Sequence, residues 1–265
     1  MSAMTKRQVC ANCGILQVMK QYVAAMIGPV NQGMIDYFRF PERRDPWGGP
    51  FNGQHKRQEL FSSLILTCRP AAIIETGTYV GASTEFIASA SKLPVYSVEA
   101  NARNFGFAKM RLKRHRNVQL SLGDSREFLM KFIAYNAARY TGCPLLFYLD
   151  AHWDEDLPLS DELAIIFSSF SRAIVLIDDF QVPDDDGYGY DDYGAGKALN
   201  RDYINLHVSK FQLAEFYPTT PSTAESGFRR GCVVLAHDPG LIGLLSRISL
   251  LRKWPLTVAE FLSRS

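Results

Sequence analysis

The chain lacks a large excess of charge of either sign. Its 265 residues carry a formal net charge of +2 at pH 7, and 21% of them are charged whereas 47% are hydrophobic. Non-specific binding to nucleic acid or to an anionic membrane surface depends on a strong positive excess, so we expect neither partner. The hydrophobic fraction is large enough to form one sizeable core.

Cysteines are few and odd in number, and long apolar runs are missing. The five cysteines are widely spaced except for Cys10 and Cys13, a single C-x-x-C pair. A disulfide framework is therefore not expected, and a zinc ribbon would need a second pair. Three polar residues interrupt the apolar stretch 15–30, which excludes a signal peptide and a membrane span. These absences predict a cytoplasmic protein without stable membrane insertion.

Two parts of different composition divide the chain. Residues 1–53 predict an N-terminal helical extension, with a helix over 15–27 that ends at Gly28-Pro29 and then a cover rich in turn-forming residues. Over residues 54–265, short apolar strands alternate with helices, and the first five predicted strands are 71–75, 95–99, 118–122, 145–150 and 173–179. This alternation predicts a Rossmann-like, doubly wound α/β domain with a mostly parallel sheet.

The last third of the chain has a different pattern. Segments 211–217 and 231–236 predict two further strands, which pair antiparallel at the edge of the sheet. Segment 241–254 predicts an apolar helix with three basic residues, packed on the sheet.

Carboxylates stand at the end of nearly every predicted strand. They are Glu75, Glu99, Asp124, Asp150 and the pair Asp178-Asp179. Ligands of open α/β sheets bind outside the carboxyl ends of the strands. Because clustered like charges repel one another, this pattern predicts a site for a cation or for a ligand rich in hydroxyl groups.

The first strand leads directly into a glycine-rich turn. Residues 74–81 read Ile-Glu-Thr-Gly-Thr-Tyr-Val-Gly. A dinucleotide turn would carry a third glycine to receive a pyrophosphate, whereas the leading glutamate here better suits a cationic amino-acid moiety. Taken alone, the turn is equally well explained as a tight strand–helix connection.

The next two strand ends favour a nucleoside. Glu99 ends the second strand, a position from which a carboxylate can accept hydrogen bonds from both ribose hydroxyls. Asp124 and Ser125 follow the third strand, where they either hold an adenine edge or cap the following helix.

With these residues, the sequence resembles the class I AdoMet-dependent methyltransferases. Within that class it is similar to metal-dependent small-molecule O-methyltransferases such as catechol O-methyltransferase, to macrocin-type sugar O-methyltransferases and to cephalosporin-hydroxylase-like proteins. The resemblance spans about residues 58–236 and is carried by 74–83, 97–101, 147–153 and 175–179. It implies S-adenosyl-L-methionine (AdoMet) as cofactor, held by Glu75, Gly77, Thr78, Tyr79, Gly81, Ser83, Glu99, Asp124, Ser125, His152 and Trp153.

Asp150, Asp178 and Asp179 predict a divalent metal site. They end the fourth and fifth strands, which lie about 4.8 Å apart if adjacent, and hard oxygen ligands are those that Mg²⁺ prefers. In the resembling enzymes the metal binds a substrate hydroxyl and lowers its pKa. Mg²⁺ or another divalent cation is therefore expected, with helix capping and solvated loops as the alternative roles of these carboxylates.

His152 is the candidate catalytic base. A neutral imidazole can take a hydroxyl proton near pH 7. The catechol enzymes place a lysine just after a His-Trp pair, whereas Asp154 follows Trp153 here, so catechol itself is a less favoured substrate. The alternative is that His152 and Trp153 form a packing wall against the adenine.

The motifs together predict methyl transfer from AdoMet to a hydroxyl of a small molecule, of natural-product, sugar or polyol type. The alternatives are other tailoring chemistry on the same fold, an NAD-type oxidoreductase and a non-catalytic binding module. The acidic, Tyr-rich run 184–194 is either a solvated loop or a lid over the site. The sequence fixes neither the acceptor nor the oligomeric state, and a homo-oligomer stays open.

Overall fold

A computed structural model describes residues 27–151 and 156–255 of the chain. These residues contain one eight-stranded sheet, in the order β3-β2-β1-β4-β5-β7-β6-β8. The strands are β1 (Ala72–Thr76), β2 (Val95–Glu99), β3 (Val118–Leu122), β4 (Leu145–Leu149), β5 (Ala173–Asp178), β6 (Ala214–Pro218), β7 (Cys232–Ala236) and β8 (Leu251–Trp254). The first five strands pair in parallel, and β7, β6 and β8 continue the sheet through antiparallel pairings. The predicted α/β sheet is confirmed.

Helices cover both faces of the sheet. They are α1 (Pro29–Arg39), α2 (His55–Cys68), α3 (Ala82–Ser91), α4 (Ala102–Arg111), α5 (Ser125–Asn136), α6 (Leu159–Ser169), α7 (Arg201–Phe211) and α8 (Pro239–Leu245). Ile74, Phe147 and Val175 pack on one face of the sheet with α5, α6 and α7, whereas Ile73 packs on the other face with α2, α3 and α8. Because the inner strands are buried on both faces, they appear in the sequence as unbroken apolar runs.

The C-terminal segment differs from the predicted helix 241–254. The helix α8 ends at Leu245, and residues 251–254 form β8 against the outer edge of β6. The side chain of Arg252 is nearly buried, and it donates a hydrogen bond to the Pro218 carbonyl and pairs with Asp184. Pairing with the exposed edge of β6 satisfies backbone groups that a longer helix would leave open, so tertiary context outweighs the local apolar pattern.

The N-terminal part also contains a helix that the sequence did not predict. The predicted helix 15–27 lies almost wholly outside the described residues, and Gly28-Pro29 marks the start of α1. Proline is favoured in the first turn of a helix because it has no N–H to leave unbonded there. Short 3₁₀ turns over residues 41–53 connect α1 to α2.

Two glycines allow α1 and α4 to cross in close contact. A Cβ atom on Gly33 would lie 1.8 Å from the carbonyl oxygen of Arg103, and one on Gly106 would lie 1.9 Å from that of Val30. The ion pair between Arg103 and Asp36, at 2.6 Å, closes the same crossing.

Substituting alanine for Gly33 is expected to destabilise the fold by about 1–3 kcal/mol, because a backbone oxygen cannot move aside as a flexible side chain can. Gly243→Ala in α8 is the control: its Cβ would meet nothing within 4 Å, and helix propensity predicts no loss or a gain of about 0.5–1 kcal/mol. Urea unfolding of both variants checks this. Equal stability of the two would contradict the close crossing.

None of the helices within residues 27–151 and 156–255 has the length and apolar character needed to cross a bilayer.

Candidate cofactor and acceptor site

A cavity of about 530 Å³ lies at the carboxyl ends of β1 to β5. It opens where the strand order reverses between β1 and β4, which is where open α/β sheets bind their ligands. Its size falls within the roughly 300–1,000 Å³ of small-molecule sites. The predicted site residues in its wall are Gly77, Thr78, Tyr79, Ser83, Glu99, Asp124, Ser125, Asp150 and Asp179.

Three predicted residues do not line this cavity, and two are not described. Glu75 and Asp178 are buried below the surface, and Gly81 takes the left-handed conformation that starts α3. His152 and Trp153 lie outside the described residues, so their predicted roles stay predictions.

The glycine-rich turn is held in place by close backbone contacts. Gly77 has φ +87°, and a Cβ atom there would lie 2.0 Å from the carbonyl oxygen of Asp150. The N–H groups of Gly77 and Thr78 both donate to the carbonyl of Val98, at 3.1 and 3.0 Å. The turn is therefore fixed against β2 on one side and the end of β4 on the other, which only glycine at position 77 permits.

Glu75 supports this turn from beneath. Its carboxylate accepts hydrogen bonds from the hydroxyls of Thr84 and Ser97, each at 2.5 Å, and its Oε1 has no hydrogen-bond partner among the described residues. Burial raises the pKa of Glu75 to about 7, although the two hydroxyls act in the opposite direction. The structure thus places Glu75 under the cavity floor and not in the cavity wall.

Glu99 is in the wall, where a ribose was predicted. Its carboxylate accepts the backbone N–H of Tyr79 at 2.6 Å and that of Asn101 at 2.8 Å. Burial raises the pKa of Glu99, and the two N–H bonds partly oppose that shift. A fixed carboxylate that lines a cavity can accept hydrogen bonds from ligand hydroxyls.

Asp124 and Ser125 combine the two roles left open by the sequence. The Asp124 side chain caps α5 by accepting the N–H groups of Arg126 at 2.8 Å and Glu127 at 3.3 Å, yet both Asp124 and Ser125 also line the cavity. The hydrogen bond from the Arg126 side chain lowers the pKa of Asp124.

Residues between α1 and α2 also line the cavity. Pro46, Trp47, Gly49 and Asn52 are in its wall, and the Trp47 ring lies 5.4 Å from that of Tyr79. The Phe51 N–H donates to the Ser83 hydroxyl at 3.0 Å, which ties the segment to α3.

Arginines bind the aspartates at the other end of the cavity. Asp178 pairs with buried Arg57 and accepts the Tyr148 hydroxyl at 2.5 Å. Asp179 accepts from Nε of Arg230 at 2.7 Å, and Arg230 also pairs with Asp191.

The pKa values of the three predicted metal ligands differ. Burial would raise the pKa of Asp178, but the Arg57 charge and the bonds from Tyr148 and Arg57 outweigh it, so this pKa lies below its usual value. Burial and the Asp178 charge raise the pKa of Asp179 to about 7. Burial and the charges of Asp178 and Asp179 raise the pKa of Asp150 well above its usual value.

This arrangement does not fit the predicted metal site. Both oxygens of Asp178 are engaged, by Arg57 and by Tyr148, and Asp179 is paired with Arg230. Over residues 27–151 and 156–255, no group of three His, Cys, Asp or Glu side chains is placed to hold a metal ion. The metal requirement therefore stays a prediction that the described donor set does not support.

Several residues of the site were missed by the sequence reading. Arg57, Arg230 and Asp191 belong to no motif, and Asp191 lies in the run assigned to a loop or lid. That run is held by hydrogen bonds, from Asp191 N to Asp179 O at 2.9 Å and from Gly189 N to Arg229 O at 2.9 Å. The only signal in the sequence was the position of the run, directly after β5.

Comparisons with known proteins agree with this fold. No protein-family model and no curated protein sequence matches the chain. An O-methyltransferase from Bacillus cereus in complex with SAH is 15% identical with a TM-score of 0.51, over 83% of this chain and 97% of that chain. TomG, an O-methyltransferase from Streptomyces achromogenes involved in tomaymycin synthesis and solved with SAM, is 17% identical with a TM-score of 0.45, over 69% and 79%. The first likeness shows that this chain shares the Rossmann-like α/β fold of that structure.

Proposed function

We propose that this protein transfers a methyl group from AdoMet to a hydroxyl of a small molecule. The observation that carries the proposal is Glu99, a carboxylate fixed by two backbone N–H groups in the wall of a cavity at the switch point of the sheet. The fold similarity to a SAH-bound O-methyltransferase supports the same reading.

The described residues fit AdoMet along the length of the cavity. Glu99 would accept the ribose hydroxyls, and Asp124 and Ser125 would contact the adenine edge. The turn at Gly77 and Thr78 would hold the amino-acid end, with Glu75 supporting it from below. When bound, the cofactor supplies an electrophilic methyl group on a sulfonium.

The remaining part of the cavity is the proposed acceptor pocket. Asp150, Asp179, Asp191, Phe228 and Arg230 line it. An acceptor held there would share one cavity with the methyl donor, and methyl transfer depends mainly on such positioning. We propose that residues 1–53 act as an extension that covers this pocket, a role supported by the four residues of segment 46–52 in the cavity wall.

His152 is the proposed base, on the grounds of its position two residues after Asp150. No step of the proposed reaction depends on a metal ion, because Arg57 and Arg230 bind two of the three carboxylates that were to hold it.

Glu99→Gln is expected to weaken AdoMet binding about 10–100-fold, because an amide replaces a carboxylate that accepts charge-assisted hydrogen bonds. Isothermal titration calorimetry measures this, with Glu59→Gln as the control, since Glu59 is exposed and pairs with Lys56 on α2. An unchanged affinity in Glu99→Gln would remove the assignment of the ribose site. Turnover of a panel of hydroxylated acceptors, followed by mass spectrometry, then tests the transfer itself.

A further inference from the structure

Two arginine–aspartate pairs shape the acceptor end of the cavity. The Arg57 side chain is 2% exposed, pairs with Asp178, and donates from Nη2 to the backbone carbonyl of Arg230 at 2.6 Å. Arg57 thus neutralises Asp178 and also supports the backbone that carries Arg230.

The position of Arg230 is fixed on several sides. Its backbone N–H donates to Oε1 of Gln54 at 3.2 Å, and its carbonyl accepts from Nε2 of Gln54 at 3.0 Å. In the side chain, Nε and Nη2 bind Asp179 and Asp191, and the guanidinium lies 5.7 Å from the ring centre of Phe228. A preorganised guanidinium of this kind loses little freedom when it binds an oxygen.

Arg230 still has N–H donors to offer. It lines the cavity, and no described residue accepts a hydrogen bond from its Nη1. Its fork geometry suits oxygen ligands, and its charge does not depend on pH in the physiological range.

A divalent ion would face both guanidinium groups. To bind Asp178 and Asp179 it would have to displace Arg57 and Arg230, and the displaced Arg57 would be a buried charge without its partner. The charge that a metal would bring to these carboxylates is already supplied by arginine.

We propose that Arg230 is the cationic group that binds the acceptor oxygen, the role that the sequence assigned to a metal ion. The protein then works without a divalent ion. This inference rests on the proposed methyl transfer, which defines the acceptor. The acceptor is a neutral hydroxyl compound, and its oxygen accepts a hydrogen bond from an N–H of Arg230. The claim that no divalent ion binds Asp178 and Asp179 does not depend on the proposed methyl transfer.

Binding of Mn²⁺ tests the proposal without any acceptor. Electron paramagnetic resonance and calorimetry are done on the wild-type protein, Arg230→Met and the control Arg103→Met, in which an arginine is removed from Asp36 outside the cavity. We expect no Mn²⁺ binding by the wild type or Arg103→Met. Arg230→Met is expected to bind none either, because no three of the described carboxylates are placed to hold an ion.

The outcomes separate the claims. Mn²⁺ binding by the wild type that is lost in Asp179→Asn would overturn the proposal, and so would an unchanged acceptor KM in a folded Arg230→Met. Arg230→Lys keeps the charge but not the fork: it should bind no Mn²⁺ and raise the acceptor KM about tenfold or more with AdoMet affinity unchanged. Lack of AdoMet binding by the wild type would instead sink the proposed function and leave the Mn²⁺ result standing.

Discussion

Gly77→Ala is expected to lower the affinity for AdoMet at least about 100-fold. The new Cβ atom would lie 2.0 Å from the carbonyl oxygen of Asp150, and alanine would have to keep φ near +87°. The left-handed conformation alone costs a non-glycine residue about 1–2 kcal/mol. The collision is with backbone, so β1 and β4 must separate at the ends that form the cavity, which displaces the groups that hold the cofactor.

Gly142→Ala is the matched control. Gly142 has φ +71°, but a Cβ atom there would meet nothing within 4 Å. Calorimetric titration with AdoMet and urea unfolding, done on both variants, separate conformational strain from the collision. Similar affinities in the two variants would mean that the close approach of Gly77 to Asp150 does not hold the site together.

Arg57→Met is expected to destabilise the protein by about 3–5 kcal/mol at pH 7. Methionine matches the length of the arginine stem, but it leaves the buried Asp178 without its counter-charge, which is the costly way to break a buried ion pair. The double variant Arg57→Met/Asp178→Asn removes both charges and should recover most of the loss. Lys56→Met, which breaks the exposed pair with Glu59, should change the stability by less than about 1 kcal/mol.

The same pair predicts how the loss depends on pH. Because Arg57 holds the pKa of Asp178 below its usual value, this carboxylate stabilises the wild type above the unfolded-state pKa near 3.9, and that stabilisation is lost as the pH falls through the folded-state pKa. Arg57→Met lacks this stabilisation. The difference in the free energy of unfolding between wild type and variant should therefore narrow from pH 7 towards about pH 3. A gap of constant size across urea-unfolding curves in this range would show that the loss is one of packing and not of charge.

The five parallel strands and the cavity they form could be predicted from the sequence. Strands buried on both faces appear as apolar runs, and the strand-end rule then places Gly77, Glu99, Asp124 and Asp150 at one edge. A short stretch of sequence is enough to predict these elements, because the burial of a strand and the geometry of a turn depend on residues close together in the chain.

The charge partners could not be predicted in this way. Arg57 and Asp178 are 121 residues apart in sequence, and Arg230 and Asp179 are 51 apart, so no spacing relates them. The carboxylates were therefore assigned to a metal, the partner that a sequence without visible counter-charges suggests. β8 was missed for a similar reason, since residues 251–254 form a strand only because β6 offers an edge.

Calorimetric titration of the wild-type protein with AdoMet, and separately with NADH, in buffer with EDTA tests the central claim most directly. The account predicts binding of AdoMet with one site per chain, an affinity that EDTA does not change, and no binding of NADH. Binding of NADH without AdoMet would contradict the account and point to an oxidoreductase in the same fold.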